Sequence, residues 1–172
     1  MVKGIDRDER WFAIRTRTKS EKWVIRQLQN KNIEAWVPLK TEVKKYPGRV
    51  RKTEKPMIYG YVFVRVSHQD YIHVLQTENV YDFVRFENTI PSIPDSQIEL
   101  LKYVAGEIEN PLITEEPIQK GDKVEVISGD LTGLRGDLVE FKGKKRVVVR
   151  LDNVGLSLLL EVPKDRLIRV LD

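Results

Sequence analysis

Cysteine is absent from the 172 residues. Disulfides, thiolate nucleophiles and cysteine-held zinc are therefore excluded. Histidine is nearly absent: only His68 and His73 occur. Five residues apart, they do not share a helix face as i,i+4 ligands would. No HExxH, CxxC or dense carboxylate cluster stands in for them, so no metal or cofactor is expected. No apolar run approaches the roughly 20 residues that cross a bilayer. Met1–Arg10 is polar and lacks the apolar core of a secretory leader, so a cytoplasmic location without membrane contact is expected. GxSxG and Walker patterns are missing. The glycines from Gly129 to Gly136 superficially suggest a phosphate loop, but no Lys-Ser/Thr and no helical pattern follow them. With no nucleophile, base and orienting group in a recognisable arrangement, the chain does not read as an enzyme.

What is present is charge, unevenly placed. The formal net charge is +4 with a pI near 9.2. Between Arg15 and Lys55 stand 13 Lys/Arg and 4 Asp/Glu, a local +9 that leaves −5 for the remainder. A basic end on an otherwise acidic chain favours a polyanionic partner such as nucleic acid; a solvated lysine-rich surface is the bland alternative.

The pattern divides into an α/β region, a connector and an all-β region. Trp11–Thr16 reads as a strand. Thr18 to Glu21 has the spacing of a capping box and predicts a helix over about 19–31, with Val24, Ile25 and Leu28 as its apolar stripe. Ala35–Leu39 reads as a strand that Pro38 demotes to an edge or an end. Lys44–Lys55 reads as a basic hairpin or loop turning at Pro47-Gly48. Tyr59–Val66 is the clearest strand. Its Gly60, Val62, Val64 and Val66 share one face, and Tyr59, Tyr61, Phe63 and Arg65 the other. Ser67–Asp70 caps a short helix, Val80–Phe86 is a further strand, and Ser96–Glu99 reads as a third capping box. Gly106–Gln119 holds four Glu, two Pro and no Lys or Arg, and reads as a linker. From Lys120, five glycine-punctuated strands predict a small barrel. The expected division is 1–105, 106–119 and 120–172.

Three segments taken together resemble the NusG family of transcription elongation factors. They are Arg10–Thr16 with its capped helix, Met57–Arg65, and the KOW-like stretch Gly121–Gly136. The resemblance covers Arg10–Asp172 and implies an α+β protein: a ferredoxin-like N-terminal domain of the NGN type joined to an SH3-like KOW β-barrel. It also implies a monomer whose N-terminal domain sits on the clamp helices of the RNA polymerase β′ subunit, reaches the β subunit and reduces pausing. Ala35–Leu39 and Asp82–Pro91 look closer to the operon-specific branch typified by RfaH and the UpxY capsule-operon regulators. The matching region Gln69–Val74 lacks the threonines by which that branch touches the β subunit. By the resemblance, Tyr61, Phe63 and Phe86 are polymerase-contacting aromatics, and Tyr59 stands on the face of the first two. On the alternation alone, Tyr61 and Phe63 would form an aromatic patch that the domain leaves uncovered. Arg15 and Arg17 match positions facing the non-template DNA strand, and Lys19 and Lys22 extend that basic group; the Lys44–Lys55 segment is a second candidate, for upstream DNA. Gly133 and Gly136 fit the turn of the KOW motif. Lys142, Lys144, Lys145, Arg146 and Arg150 suggest RNA or ribosomal-protein contact. The alternatives to an operon-specific antiterminator are a general housekeeping NusG and a ribosome- or RNA-binding KOW protein.

Overall fold

The structure, a computed structural model, describes residues 2–108 and 110–171. The chain falls into two compact units, Met1–Gly106 and Glu107–Asp172. In the first unit the elements run β1 (Arg10–Thr16), α1 (Glu21–Asn30), β2 (Glu34–Trp36), β3 (Leu39–Tyr46), β4 (Arg49–Pro56), β5 (Tyr61–Val66), α2 (Tyr71–Leu75), β6 (Val80–Phe83) and α3 (Asp95–Glu107). Four strands form an antiparallel sheet in the order β2-β5-β1-β6. Apart from the inserted β3–β4 hairpin, this is the expected ferredoxin-like β-α-β-β-α-β arrangement. Pro38 falls just past β2, and β2 is an edge strand, where a residue without an N–H costs no ladder bond.

The valines of β5 do what their alternation predicts. Val62, Val64 and Val66 enter a fully buried cluster with Phe12 and Ile14 of β1, Val24 and Leu28 of α1, and Val74 of α2. The opposite face has its own cover. In antiparallel pairing, directly opposed residues point the same way, so the pairs Trp11↔Arg65, Ala13↔Phe63, Arg15↔Tyr61 and Trp36↔Phe63 define a single aromatic face. α3 lies over it: Ile98, Leu101 and Val104 are buried, and the Lys102 ammonium sits 5.2 Å from the Trp11 ring centre and 6.0 Å from that of Trp36.

Of the three expected capping boxes one forms. Asp70 accepts hydrogen bonds from the Ser67 N–H at 2.9 Å and the Ser67 hydroxyl at 3.0 Å. At the first helix, Lys19 adopts a left-handed φ of 70°, so the helix starts at Glu21, not at Lys19. The Glu21 carboxylate still reaches back, but it accepts from Lys19 N–H (3.2 Å) and, across the fold, from Gly60 N–H (2.6 Å). At the third, α3 begins at Asp95 directly after Pro94, which puts Ser96 inside the helix.

The second unit is a six-stranded antiparallel sheet in the order β12-β8-β9-β10-β11-β7. Its strands are β7 (Leu112–Thr114), β8 (Asp122–Val126), β9 (Arg135–Phe141), β10 (Lys144–Leu151), β11 (Leu156–Leu160) and β12 (Leu167–Arg169). Five of these match the expected strands. The sixth, β7, lies in the stretch read as linker and pairs with β11, Leu158 opposite Ile113. Arg150 ties the same stretch down by donating to the carbonyls of Ile118 (3.1 Å) and Gln119 (3.2 Å). Gly133 occupies the motif's turn with φ +88° and open space around it. Gly136 does not belong to that turn: it is in β9, opposite Val124. A Cβ there would meet the Val148 carbonyl oxygen at 2.4 Å, so its glycine is required by close packing of β10. Among the described residues no helix is long and apolar enough to cross a membrane.

Glu21→Ala removes a charged acceptor and leaves Gly60 N–H buried, which should lower unfolding free energy in urea by about 2 kcal/mol; Glu21→Gln should cost less. Gly136→Ala should destabilise by about 2 kcal/mol or more, as overpacking against backbone does, whereas Gly133→Ala should cost about 1 kcal/mol, the strain of a left-handed backbone. Urea titrations of both variants distinguish the two roles.

Candidate functional site

The expectation of an uncovered aromatic patch is corrected by the structure. Tyr61 is 1% and Phe63 0% exposed. A central strand has no free face when helices pack on both sides of its sheet. Phe63 lies 6.0 Å from the Trp36 ring, and the Arg15 guanidinium stacks 4.5 Å above Tyr61. The two remaining aromatics are exposed, Tyr59 by 44% and Phe86 by 59%. They do not join. Tyr59 precedes β5 at the end of the sheet where Arg15 pairs with Tyr61. Phe86 follows β6 towards the Trp11 end, in a tight turn whose N–H donates to the Thr89 carbonyl at 2.8 Å. Glu87 and Asn88 take positive φ there, as a two-residue hairpin turn requires.

The open margin of the aromatic layer is a cleft of about 630 Å³. Trp36 and Leu39 line it from the sheet side, Ile25 and Arg26 from α1, and Lys102 and Ala105 from α3. Trp36 is half-buried and connects the cleft to Phe63 behind it. Sequence reasoning missed this site because it depends on where α3 ends over the sheet. The only local signal was a third aromatic, Trp36, on the same face as Phe63.

The basic residues divide differently. Arg17 and Lys19 are exposed in the β1–α1 loop. Lys22 is on α1 but donates to the Glu54 carbonyl at 3.1 Å and lies 3.6 Å from its carboxylate, which ties α1 to β4. In the second unit, the run of cations without acids is an artefact of sequence order. Glu161 accepts from Arg146 at 2.8 Å and Lys144 at 3.1 Å, and Asp137 pairs with Arg150. The Lys142 ammonium lies over the Phe141 ring. Among the described residues no group of three or more His, Asp or Glu could hold a metal ion.

A ferredoxin-like sheet followed by a small glycine-turned β unit is the two-module arrangement of an NGN domain joined to a KOW domain. Residues 9–102 match the family model for transcription termination factor NusG, and residues 120–169 match that for the second KOW domain of transcription elongation factor SPT5. The chain belongs to the NusG family, related to Spt5, whose members are non-enzymatic transcription factors. Its fold is similar to that of Thermotoga maritima NusG, with a TM-score of 0.54 and 19% identity over 95% of this chain and 98% of that one. Two conformations of the MjSpt4:Spt5 complex also match, each at a TM-score of 0.32, with 22% and 23% identity over 93% of this chain and 97% and 96% of theirs. No curated protein matches the chain.

Because their rings are core, Phe63→Ala and Tyr61→Ala should each destabilise the first unit by about 3–5 kcal/mol. Phe86→Ala should stay within about 0.5 kcal/mol of the parent, as exposed substitutions do. Thermal unfolding of the three variants is the check.

Proposed function

We propose that this chain is an elongation and antitermination factor that binds the RNA polymerase clamp, suppresses pausing and termination, and promotes processive transcription of particular long operons such as those for polysaccharide synthesis. The carrying observation is that both modules of the family stand in one chain, over 9–102 and 120–169. The operon-specific reading is supported by Ala35–Leu39 and Asp82–Pro91, which resemble that branch.

Polymerase contact in this reading centres on the cleft beside Trp36, and the exposed Tyr59 adds a further aromatic contact. A helix laid into a groove is held by apolar anchors, and the clamp offers helices. Phe63 acts from beneath, packed against Trp36, and Tyr61 supports the same face of β5. Phe86, at the other end of the sheet, serves a separate contact. Arg15, Arg17, Lys19 and Lys22 sit beside the exposed non-template strand, with Arg17 and Lys19 the most accessible. The KOW unit recruits a further partner, a ribosomal protein or RNA. Internal pairing of Lys144, Arg146 and Arg150 argues against RNA binding as the chain's main activity.

The test is retention of the full chain on purified RNA polymerase, with a β′ clamp-helix fragment as competitor. Ala105→Arg fills the cleft from a helix position that tolerates arginine, and Trp36→Ala removes its aromatic wall. Each should weaken binding at least tenfold while circular dichroism stays native. Unchanged binding by both would move the site away from the cleft. Failure of the parent chain to bind polymerase would sink the whole reading.

A further inference from the structure

The residues before β1 are mostly polar, yet one of them is anchored in the core. Ile5 is fully buried in the cluster that holds Phe12, Val66, Val74 and Ile90, and Val2 packs against that cluster. Asp6, Arg7, Asp8 and Glu9, between this anchor and β1, are all exposed. An apolar anchor on an exposed polar hinge has the build of a strap. Two backbone hydrogen bonds fasten it, each to a different corner of the first unit. The Ile90 N–H donates to the Lys3 carbonyl at 3.0 Å, on the connection from β6 to α3. The His68 N–H donates to the Asp6 carbonyl at 2.8 Å, where the chain turns from β5 towards α2.

Gly4 sits between these two bonds with φ +107°. A Cβ there would meet the Ile90 carbonyl oxygen at 2.1 Å and the Ile90 nitrogen at 2.9 Å, so no side chain fits while the strap is seated. The stretch it meets is held at its two ends, where Val84 N–H donates to the Ala13 carbonyl and Ile93 N–H to that of Trp11, each at 2.8 Å. Between those ends lies the Phe86 turn, closed on itself by the bonds between Phe86 and Thr89, with Ile90 next to it. Lifting the strap takes the acceptor from the Ile90 N–H and uncovers the Ile90 side chain together with that of Ile5. A buried amide left without a partner is costly, so the Phe86 turn has to open with the strap. Nothing in the β1–β5 ladder depends on either. Proteins open locally in contiguous units of this kind.

We propose that Val2–Asp6 is a releasable latch, and that the latch and the Phe86 turn open and close as one unit while the sheet stays folded. The latch thereby governs an exposed surface. With the strap seated, Phe86 projects from a closed turn at 59% exposure. With the strap released, the same ring stands on a loose loop, and whatever binds it must also bear the entropy of ordering that loop. Such coupling works in both directions. A molecule that grips Phe86 on its closed turn holds the strap in place, and one that captures Val2 and Ile5 loosens Phe86. This device belongs to the first unit alone and stands whether or not the chain binds polymerase.

Native-state hydrogen exchange of the full chain in low urea, followed residue by residue, is the test. In the parent the amides of His68, Thr89 and Ile90 should share one opening free energy, lower than that of the β5 amides of Val62 and Val64. Gly4→Ala should unseat the strap and speed exchange at those three amides by about tenfold or more, with the β5 amides within about twofold of the parent. Ile5→Val, which thins the anchor, should give a smaller change of the same pattern. Lys3→Ala keeps the carbonyl and trims only an exposed side chain, so its rates should stay within about twofold. Chymotrypsin gives a second reading: cleavage after Phe86 should rise in Gly4→Ala in step with exchange, because cleavage follows the population of the open form. The proposal is overturned if His68 and Ile90 open with different free energies in the parent, if Gly4→Ala leaves Ile90 protected, or if it speeds the β5 amides as much as those beside the strap.

Discussion

Strand β5 is hydrogen-bonded along both edges and covered on both faces, and the first unit is arranged to meet that condition. Its partners are β2 and β1. Its valines face α1 and α2, and its aromatics face α3. A strand so placed needs its entry fixed, because a slip of one residue would exchange the valine and aromatic faces. Gly60, at φ +78°, makes the turn into the strand, and its N–H donates to the buried Glu21 carboxylate. That acid lies in the first turn of α1, where the exposed amides of a helix favour negative charge. One side chain thus fastens the start of a helix to the start of the central strand.

The same condition explains which parts of the fold could be read from the chain. Alternation in Val62–Val66 and the 3.6-residue stripe of Val24 and Leu28 are local, and both survive in the structure. Alternation also separated Tyr61 and Phe63 from the valines correctly. It could not say what lies on the second face, because the cover comes from α3, some forty residues further along. The periodicity of Ile98 and Leu101 shows that α3 has an apolar side but not which surface it meets. β7 escaped for a different reason: three residues are too few to display a period, and the Glu and Pro around Leu112–Thr114 resemble those of a linker. Gly136 was correctly singled out but for the wrong cause, since a glycine needed for a turn and one needed for close backbone approach look alike in sequence.

Charge was legible in quantity but not in use. Lys144, Arg146 and Arg150 form a basic run in β10, yet the carboxylates that answer them stand on neighbouring strands, Asp137 in β9 and Glu161 just after β11. Arg146 is 7% exposed, and a guanidinium so buried needs partners. A central strand of a sheet has neighbours on both sides to supply them. These cations therefore belong to the architecture of the second unit.

The β3–β4 hairpin is the contrasting case, and topology decides the difference. It is a two-stranded sheet of its own, so each strand has one neighbour, and near the tip that neighbour is also basic. Solubility does not require this, because surfaces stay soluble with both signs interspersed, as they are around Lys40, Glu42 and Lys55 at the base. Protection of exposed strand edges from aggregation does call for lysine, and that accounts for some of the charge. It does not account for Lys44 standing directly opposite Arg51 on one face, while the other face pairs Val43 with Lys52 and Val50 with Lys45. Near the tip the cations therefore stand on both faces, Lys44, Arg49 and Arg51 on one and Lys45 and Lys52 on the other, and the ribbon carries positive charge all round. Within the first unit, the doubly covered sheet supplies rigidity, and Lys22 of α1 ties the hairpin to it through Glu54.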